Sequence, residues 1–88
     1  MKLLICILQD SDKDSVVKAL NKEEYRITVL PSSGAYFRRG NTTLFIGIED
    51  KQVNPVIEII KENCAEPKDP GLKRATIFVL NVNKFEQV

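Results

Sequence analysis

The polar residues best suited to hold a phosphorylated ligand are Arg26, Thr28 and Gly47, which the strand pattern predicts on one face of a sheet. Arginine offers a planar fork of donors to a phosphate, and a glycine within a strand lets a ligand approach the backbone. Taken singly, these residues are better explained as a solvated charge, a strand-forming threonine and a bulge glycine. Their shared face near a Ser/Gly loop supports an anion-binding site but does not by itself decide between the two explanations.

The loop Ser32-Ser33-Gly34-Ala35 lies next to that face and could present successive backbone N–H groups to an anion. Tyr36, directly after it, could stack on a base. Small-residue loops are more often plain connectors, however, and an aromatic beside a strand more often packs against its own protein. The loop by itself leaves both interpretations open.

Catalytic and metal chemistry have little support in this sequence, which contains no histidine and only two cysteines. No pair of base and nucleophile can be named, so we expect a protein that is not an enzyme. We also expect no metal and no cofactor. Cys6 lies within an apolar run and Cys64 at a helix end, so both are predicted to be small core residues rather than a disulfide framework.

The composition is that of a small globular protein: 88 residues, with 13 Lys and Arg against 12 Asp and Glu. This length predicts one domain, residues 1–88. A net charge of +1 gives no general attraction to nucleic acid or to membranes. The apolar run Leu3 to Leu8 is too short for a secretion signal or a membrane span, so we expect a cytoplasmic protein.

Hydrophobic periodicity predicts six elements in the order βαββαβ. Four strands are expected at Leu3–Leu8, Tyr25–Leu30, Thr42–Glu49 and Arg74–Val82. One helix carries Val16, Val17 and Leu20 on its apolar face and ends at Glu23–Glu24 without a glycine cap. The other begins at Asp50, but Pro55 predicts regular α-helix only from about Asn54. The expected fold is α+β, a four-stranded antiparallel sheet with both helices on one face.

Only one sheet face can be covered by these helices. We expect that face to carry five aliphatic residues: Ile27, Val29, Leu44, Ile46 and Ile48. The other face would carry the ligand-binding candidates together with Leu30, Thr43, Phe45 and Phe78. Phe45 and Phe78 are too apolar for a bare solvent face, which predicts that a partner subunit lies against the sheet.

Several segments resemble the cyclic-di-AMP receptor branch of the PII-like signal-transduction proteins. The resemblance runs without gaps from Met1 to about Asn63 and resumes from Ala75. Its carrying residues are Met1-Lys2-Leu3, Gln9-Asp10, Tyr25-Arg26-Ile27-Thr28, Gly40-Asn41-Thr42-Thr43, Gly47, Asp50, Ile60-Lys61-Glu62-Asn63 and Ala75-Thr76-Ile77-Phe78-Val79.

This resemblance implies a ferredoxin-like homotrimer that binds cyclic-di-AMP, or a related adenine nucleotide, in clefts between subunits. It implies that Arg26 and Thr28 contact the phosphate and base region, and that Asn41 and the Gly47 backbone read adenine edges. Tyr36 stands at the position of a stacking aromatic, flanked by Ala35 and Phe37. Phe78 matches an apolar position near the neighbouring subunit's ligand. A downstream protein partner is implied but not identified.

Three departures from the family pattern alter the expected binding. Between the second helix and the last strand, relatives carry a long Pro/Gly-rich loop, where this chain has only Ala65 to Lys73. The usual Gly-Gly pair before the last strand is Lys73-Arg74, and Arg74 could itself contact phosphate. Glu24 stands where the family usually has Asn and would repel a phosphate. These differences predict weaker, salt-sensitive binding or a preference for another adenine nucleotide.

Two other functions remain open at this point. The chain could be a PII-like scaffold whose ligand site has decayed and which acts through protein contacts alone. It could also be an ACT-like domain that binds an amino acid, since that fold has the same element order. An RNA-binding sheet is less suitable, because the strand Thr42–Glu49 lacks interleaved basic and aromatic residues.

Overall fold

The computed structural model describes residues 1–30, 40–65 and 74–88, and its element order confirms the predicted βαββαβ arrangement. Its strands are β1 (Lys2–Gln9), β2 (Ile27–Leu30), β3 (Asn41–Ile48) and β4 (Ala75–Asn81). Its helices are α1 (Asp10–Lys22) and α2 (Val53–Asn63), the latter preceded by a 3-10 turn at Asp50–Gln52. The predictions for residues 31–39 and 66–73 lie outside the described residues.

The four strands form one antiparallel sheet in the order β2-β3-β1-β4. The two central strands are β1 and β3, and β1 pairs along nearly its whole length with both β3 and β4. The apolar run of β1 is typical of a strand with both side-chain faces covered, and the helices cover one of these faces. The predicted α+β, ferredoxin-like sheet with two helices on one face is therefore confirmed.

The hydrophobic core lies between the sheet and the two helices. Alternate residues of β1 point into it, and α1 and α2 contribute aliphatic residues at helical spacing. Its fully buried members include Leu4, Leu20, Leu44 and Ile60. This layer fixes the sheet relative to the helices and leaves the opposite sheet face without helical cover.

Both cysteines lie in this core as free thiols, as predicted. Burial, with a smaller contribution from neighbouring Cys64, raises the pKa of the Cys6 thiol to about 12. Burial is also the main cause of the raised pKa of Cys64. Because the thiolate is the reactive form, both cysteines stay protonated and inert near neutral pH.

The second helical region begins as predicted at Asp50, but as a 3-10 turn, and regular helix starts at Val53, one residue before the expected position. Pro55 is tolerated because it occupies the first turn, where a backbone N–H has no intrahelical acceptor. The Gln52 side chain accepts a hydrogen bond from the Glu49 N–H at 2.9 Å and so caps the turn.

The second strand begins at Ile27, two residues later than predicted, because the cap that follows α1 involves the backbone as far as Tyr25. The Tyr25 N–H donates to the Leu20 carbonyl at 3.1 Å, and the Glu24 N–H donates to the Asn21 carbonyl at 2.9 Å. This is a Schellman cap, which requires a left-handed residue at its centre. Glu24 occupies that position with φ +66°.

Two residues lie on their predicted sheet faces but differ from the burial expected there. Val29, expected among the covered residues, is 38% exposed, because β2 is an edge strand that the helices reach only in part. Thr43 lies on the same side of β3 as Phe45, as expected, but is buried there. Leu44, Ile46 and Ile48 are buried beneath the helices as predicted, and Ile27 packs against the same core.

We expect Glu24→Asn to raise the free energy of unfolding by about 1 kcal/mol, because asparagine tolerates the left-handed conformation that strains glutamate. Chemical denaturation measures this difference. Glu23→Asn is the matched control, since it makes the same chemical change at φ −89° and should give no comparable gain. Equal effects at both positions would attribute the change to charge rather than to backbone strain.

Candidate functional site: a cleft on the open sheet face

A cleft of about 860 Å³ lies on the sheet face that the helices leave uncovered. Thr28, Phe45, Gly47 and Leu3 form its floor, and the pairings Thr28–Phe45 and Leu3–Gly47 place them side by side across three strands. This volume falls within the range of small-molecule sites, roughly 300–1,000 Å³. Three of the predicted ligand-binding residues, Arg26, Thr28 and Gly47, line this cleft together.

The turn between α1 and β2 determines where Arg26 lies. The Schellman cap ends at Tyr25, whose side chain packs against the core, and the exposed Arg26 follows immediately. Tyr25 and Asn21, from the end of α1, also line the cleft. The arginine is therefore held at the cleft by a hydrogen-bonded turn rather than by a regular strand.

Gly47 has no side chain, so this end of the cleft stays open and the backbone of β3 is accessible there. A Cβ atom built on Gly47 would lie 3.3 Å from the Met1 Cε atom, at the end of a flexible side chain. A methyl group could be accommodated there by a small movement of Met1, but a larger side chain would fill the cleft. A ligand can thus approach the β3 backbone at this point.

The charge of the cleft favours an anion. Lys2 and Arg26 are among its lining residues, and the lining residues in the described part of the chain include no carboxylate. The N-terminal amine of Met1 interacts with Asp50 at 3.5 Å, and the Lys2 ammonium donates to the Asn81 side chain. The Arg26 guanidinium is the strongest candidate for a direct phosphate contact, because its donors match phosphate geometry.

Two other predicted ligand-binding residues, Asn41 and Phe78, do not line the cleft of the same protomer. Asn41 and Gly47 lie at opposite ends of β3, about 20 Å apart at the usual rise per residue. Phe78 pairs with Ile5 on β4, two strands from Phe45. Ala35, Tyr36 and Phe37 lie outside the described residues, so their ligand contacts stay predictions.

Sequence reasoning missed the contribution of both chain ends to this cleft. Met1 and Leu3 line it from the start of β1, and three residues after β4 line it from the other side: Val82, Phe85 and Gln87. The signal available in the sequence was Phe85, an aromatic residue between polar residues near the end of the chain.

The open sheet face is largely apolar from the floor of the cleft across to β4. One row across all four strands consists of Thr28, Phe45, Ile5 and Phe78, in the order of the sheet. Phe78 is 52% exposed, and the nearby Leu80 is also exposed. Such a continuous patch is larger than isolated exposed hydrophobic residues and indicates an interaction surface.

Arg74 does not line the cleft but lies in a second, smaller groove between α2 and β4, with a volume of about 310 Å³. One of its guanidinium nitrogens donates to the Lys61 carbonyl at 3.4 Å. Within one protomer, Arg74 is therefore separate from the cleft that contains Arg26. Its suggested phosphate contact stays a prediction.

Residues 1–30, 40–65 and 74–88 contain no cluster of three or more potential metal ligands. Among these residues, no helix is long and apolar enough to cross a bilayer.

Comparison with known proteins identifies the family. A model of the cyclic-di-AMP receptor family matches residues 1–70. The chain belongs to the cyclic-di-AMP receptor family. A crystal structure of a functionally unknown protein from Pediococcus pentosaceus is 36% identical in sequence. It aligns over 99% of this chain and 96% of its own length with a TM-score of 0.79. The resemblance and the fold inferred from sequence are thus confirmed.

We expect Gly47→Ala to retain the stability of the parent receptor-family protein, because only the mobile end of Met1 must move. Gly40→Ala is the matched control, since Gly40 has φ +86° and open space around its Cβ position. That substitution should lower the free energy of unfolding by about 1 kcal/mol through backbone strain alone. Thermal or chemical unfolding distinguishes them, and a large loss at Gly47 would show that its surroundings are tighter than described.

Proposed function

We propose that this protein is a signal-transduction receptor that binds cyclic-di-AMP, or a related adenine nucleotide, at the cleft containing Arg26, Thr28 and Gly47. The observation that carries the proposal is the convergence of these three residues on one cleft of suitable size. Membership of a receptor family supports action by binding rather than by catalysis. The signal would pass to a downstream protein through the shape of the liganded receptor.

The chemistry of the cleft suits this ligand class. Each half of cyclic-di-AMP combines a phosphodiester charge with an apolar, planar adenine. The cleft places the guanidinium of Arg26 beside the half-buried Phe45 and the accessible backbone of Gly47. A cation for phosphate, an apolar floor for the base and backbone groups for its edges are therefore adjacent.

We further propose that the functional form is a homotrimer in which a neighbouring subunit covers the open sheet face. The exposed row ending at Phe78 supports an apolar partner of similar shape, and a second copy of the chain offers that surface. Small domains gain stability by association, because one protomer of this size buries a limited core. Neighbour contact would also complete the cleft, which is open on one side of each protomer.

Phe78→Asp tests this assembly. The Phe78 side chain is half exposed in one protomer and belongs to no buried core cluster, so the change should dissociate the trimer while leaving the protomer folded. Light scattering should report loss of the trimer at micromolar concentration, because a charge buried at an interface costs several kcal/mol. Val88→Asp is the control for added charge at an exposed position. A parent protein that is a stable monomer would contradict the proposal.

Arg26→Ala tests the ligand site. Loss of a charge-assisted hydrogen bond should weaken binding of cyclic-di-AMP about ten- to a hundredfold in a titration calorimeter. Lys18→Ala, which removes one positive charge from an exposed position on α1, should leave the affinity unchanged. Arg26→Lys should recover only part of the loss, because lysine lacks the planar fork.

The same titration separates the alternatives. A panel of cyclic-di-AMP, ATP and free amino acids distinguishes a nucleotide receptor from an ACT-like amino-acid sensor. Failure of the folded protein to bind any nucleotide would favour the scaffold with a decayed site. Unchanged affinity in a folded Arg26→Ala protein would move the site away from this cleft.

A further inference from the structure

The segment that follows β4 forms one wall of the cleft. Its start is fixed by a hydrogen bond from the Val82 N–H to the Met1 carbonyl at 3.1 Å. Beyond that bond, Phe85 and Gln87 line the cleft, while the intervening Lys84 and Glu86 form an ion pair at 3.0 Å. We call residues 83–88 the tail. Its alternation shows that one side of the tail is directed toward the ligand-binding residues.

Phe85 has no evident role in the stability of the protomer. It is 61% exposed and is absent from the core cluster and from the partly buried residues packed around it. An exposed phenylalanine is unfavourable by itself, since its large apolar surface stays in water. A position beside Arg26 and Thr28 gives this surface a function that the folded protomer does not use.

We propose that Phe85 is a ligand-contacting residue whose ring stacks on a nucleobase held in the cleft. This inference rests on the proposed nucleotide-binding function and adds to it a residue that selects ligands with a planar base. Arg26 holds the phosphate from the α1–β2 turn, and Phe85 meets the base from the tail. The two residues thus divide recognition between charge and stacking.

The position of Phe85 also bears on the short connection between α2 and β4. In an open cleft, part of the ligand faces water and makes fewer contacts with the protein, so the ligand dissociates quickly. A second wall would limit its movement. The tail provides such a wall from described residues. Stacking depends on the face of the ring rather than on hydrogen bonds, so it adds affinity for any purine and leaves the choice among bases to the cleft edges.

A series of substitutions at Phe85 tests the proposal by calorimetric titration with cyclic-di-AMP. Phe85→Ala should weaken binding about 10- to 100-fold. Phe85→Tyr retains an aromatic ring and should bind like the parent, whereas Phe85→Leu retains apolar bulk without a ring face and should remain clearly weaker. The decrease in adenine absorbance that accompanies stacking should be smaller for the Ala and Leu variants.

The opposite side of the tail supplies the control. Lys84→Ala combined with Glu86→Ala removes the outward ion pair without changing net charge, and its affinity should equal that of the parent. Thermal stability and trimer mass should be unchanged in all of these variants. A Phe85→Ala protein that dissociates would show that the ring serves assembly instead, which would overturn the inference.

Two further outcomes separate this inference from the proposed function. If Arg26→Ala abolishes binding and Phe85→Ala does not alter it, the inference is wrong and the receptor function stands. If the parent protein binds no nucleotide, both are wrong. Tighter binding by Phe85→Ala would show that the ring occupies the empty cleft and competes with the ligand, which also contradicts the stacking role.

Discussion

The structure is governed by a mismatch between a sheet with two apolar faces and helices that can cover only one. In β1, Leu4, Cys6 and Leu8 are buried beneath the helices, whereas the residues between them are only half buried. In a strand with one solvated face, apolar and polar residues normally alternate, and a run of consecutive apolar residues would leave apolar side chains in water. The open face therefore explains both the apolar row through Phe45 and the cleft beside it. Core packing and the proposed binding surface follow from the same strand.

The α1–β2 turn shows how local strain and site geometry are connected. A Schellman cap ends α1 before the chain enters β2, and it requires a left-handed residue at position 24. Glutamate is poorly suited to that conformation, yet the turn persists because Tyr25 and Leu20 pack in the core. The same turn holds Arg26 beside the cleft. The stability of the core thus maintains the position of the arginine, despite an unfavourable backbone angle next to it.

Periodicity was sufficient for the fold, since alternation in strands and helical spacing both depend on which side chains are buried. It identified the buried face of β3, and it placed Arg26, Thr28 and Gly47 together. It failed at Val29, because exposure at an edge strand depends on how far a helix extends. It also failed at the tail, where the position of Phe85 depends on a bond between Val82 and Met1, residues at opposite ends of the chain.

The separation of Asn41 from Gly47 constrains any ligand that contacts both. These residues lie at opposite ends of β3, so one adenine cannot meet both of them within a protomer. If both residues read the edge of the same adenine, the Asn41 contact must come from a neighbouring protomer. Occupancy of the cleft would then depend on assembly, and assembly on the open apolar face that the helices leave uncovered.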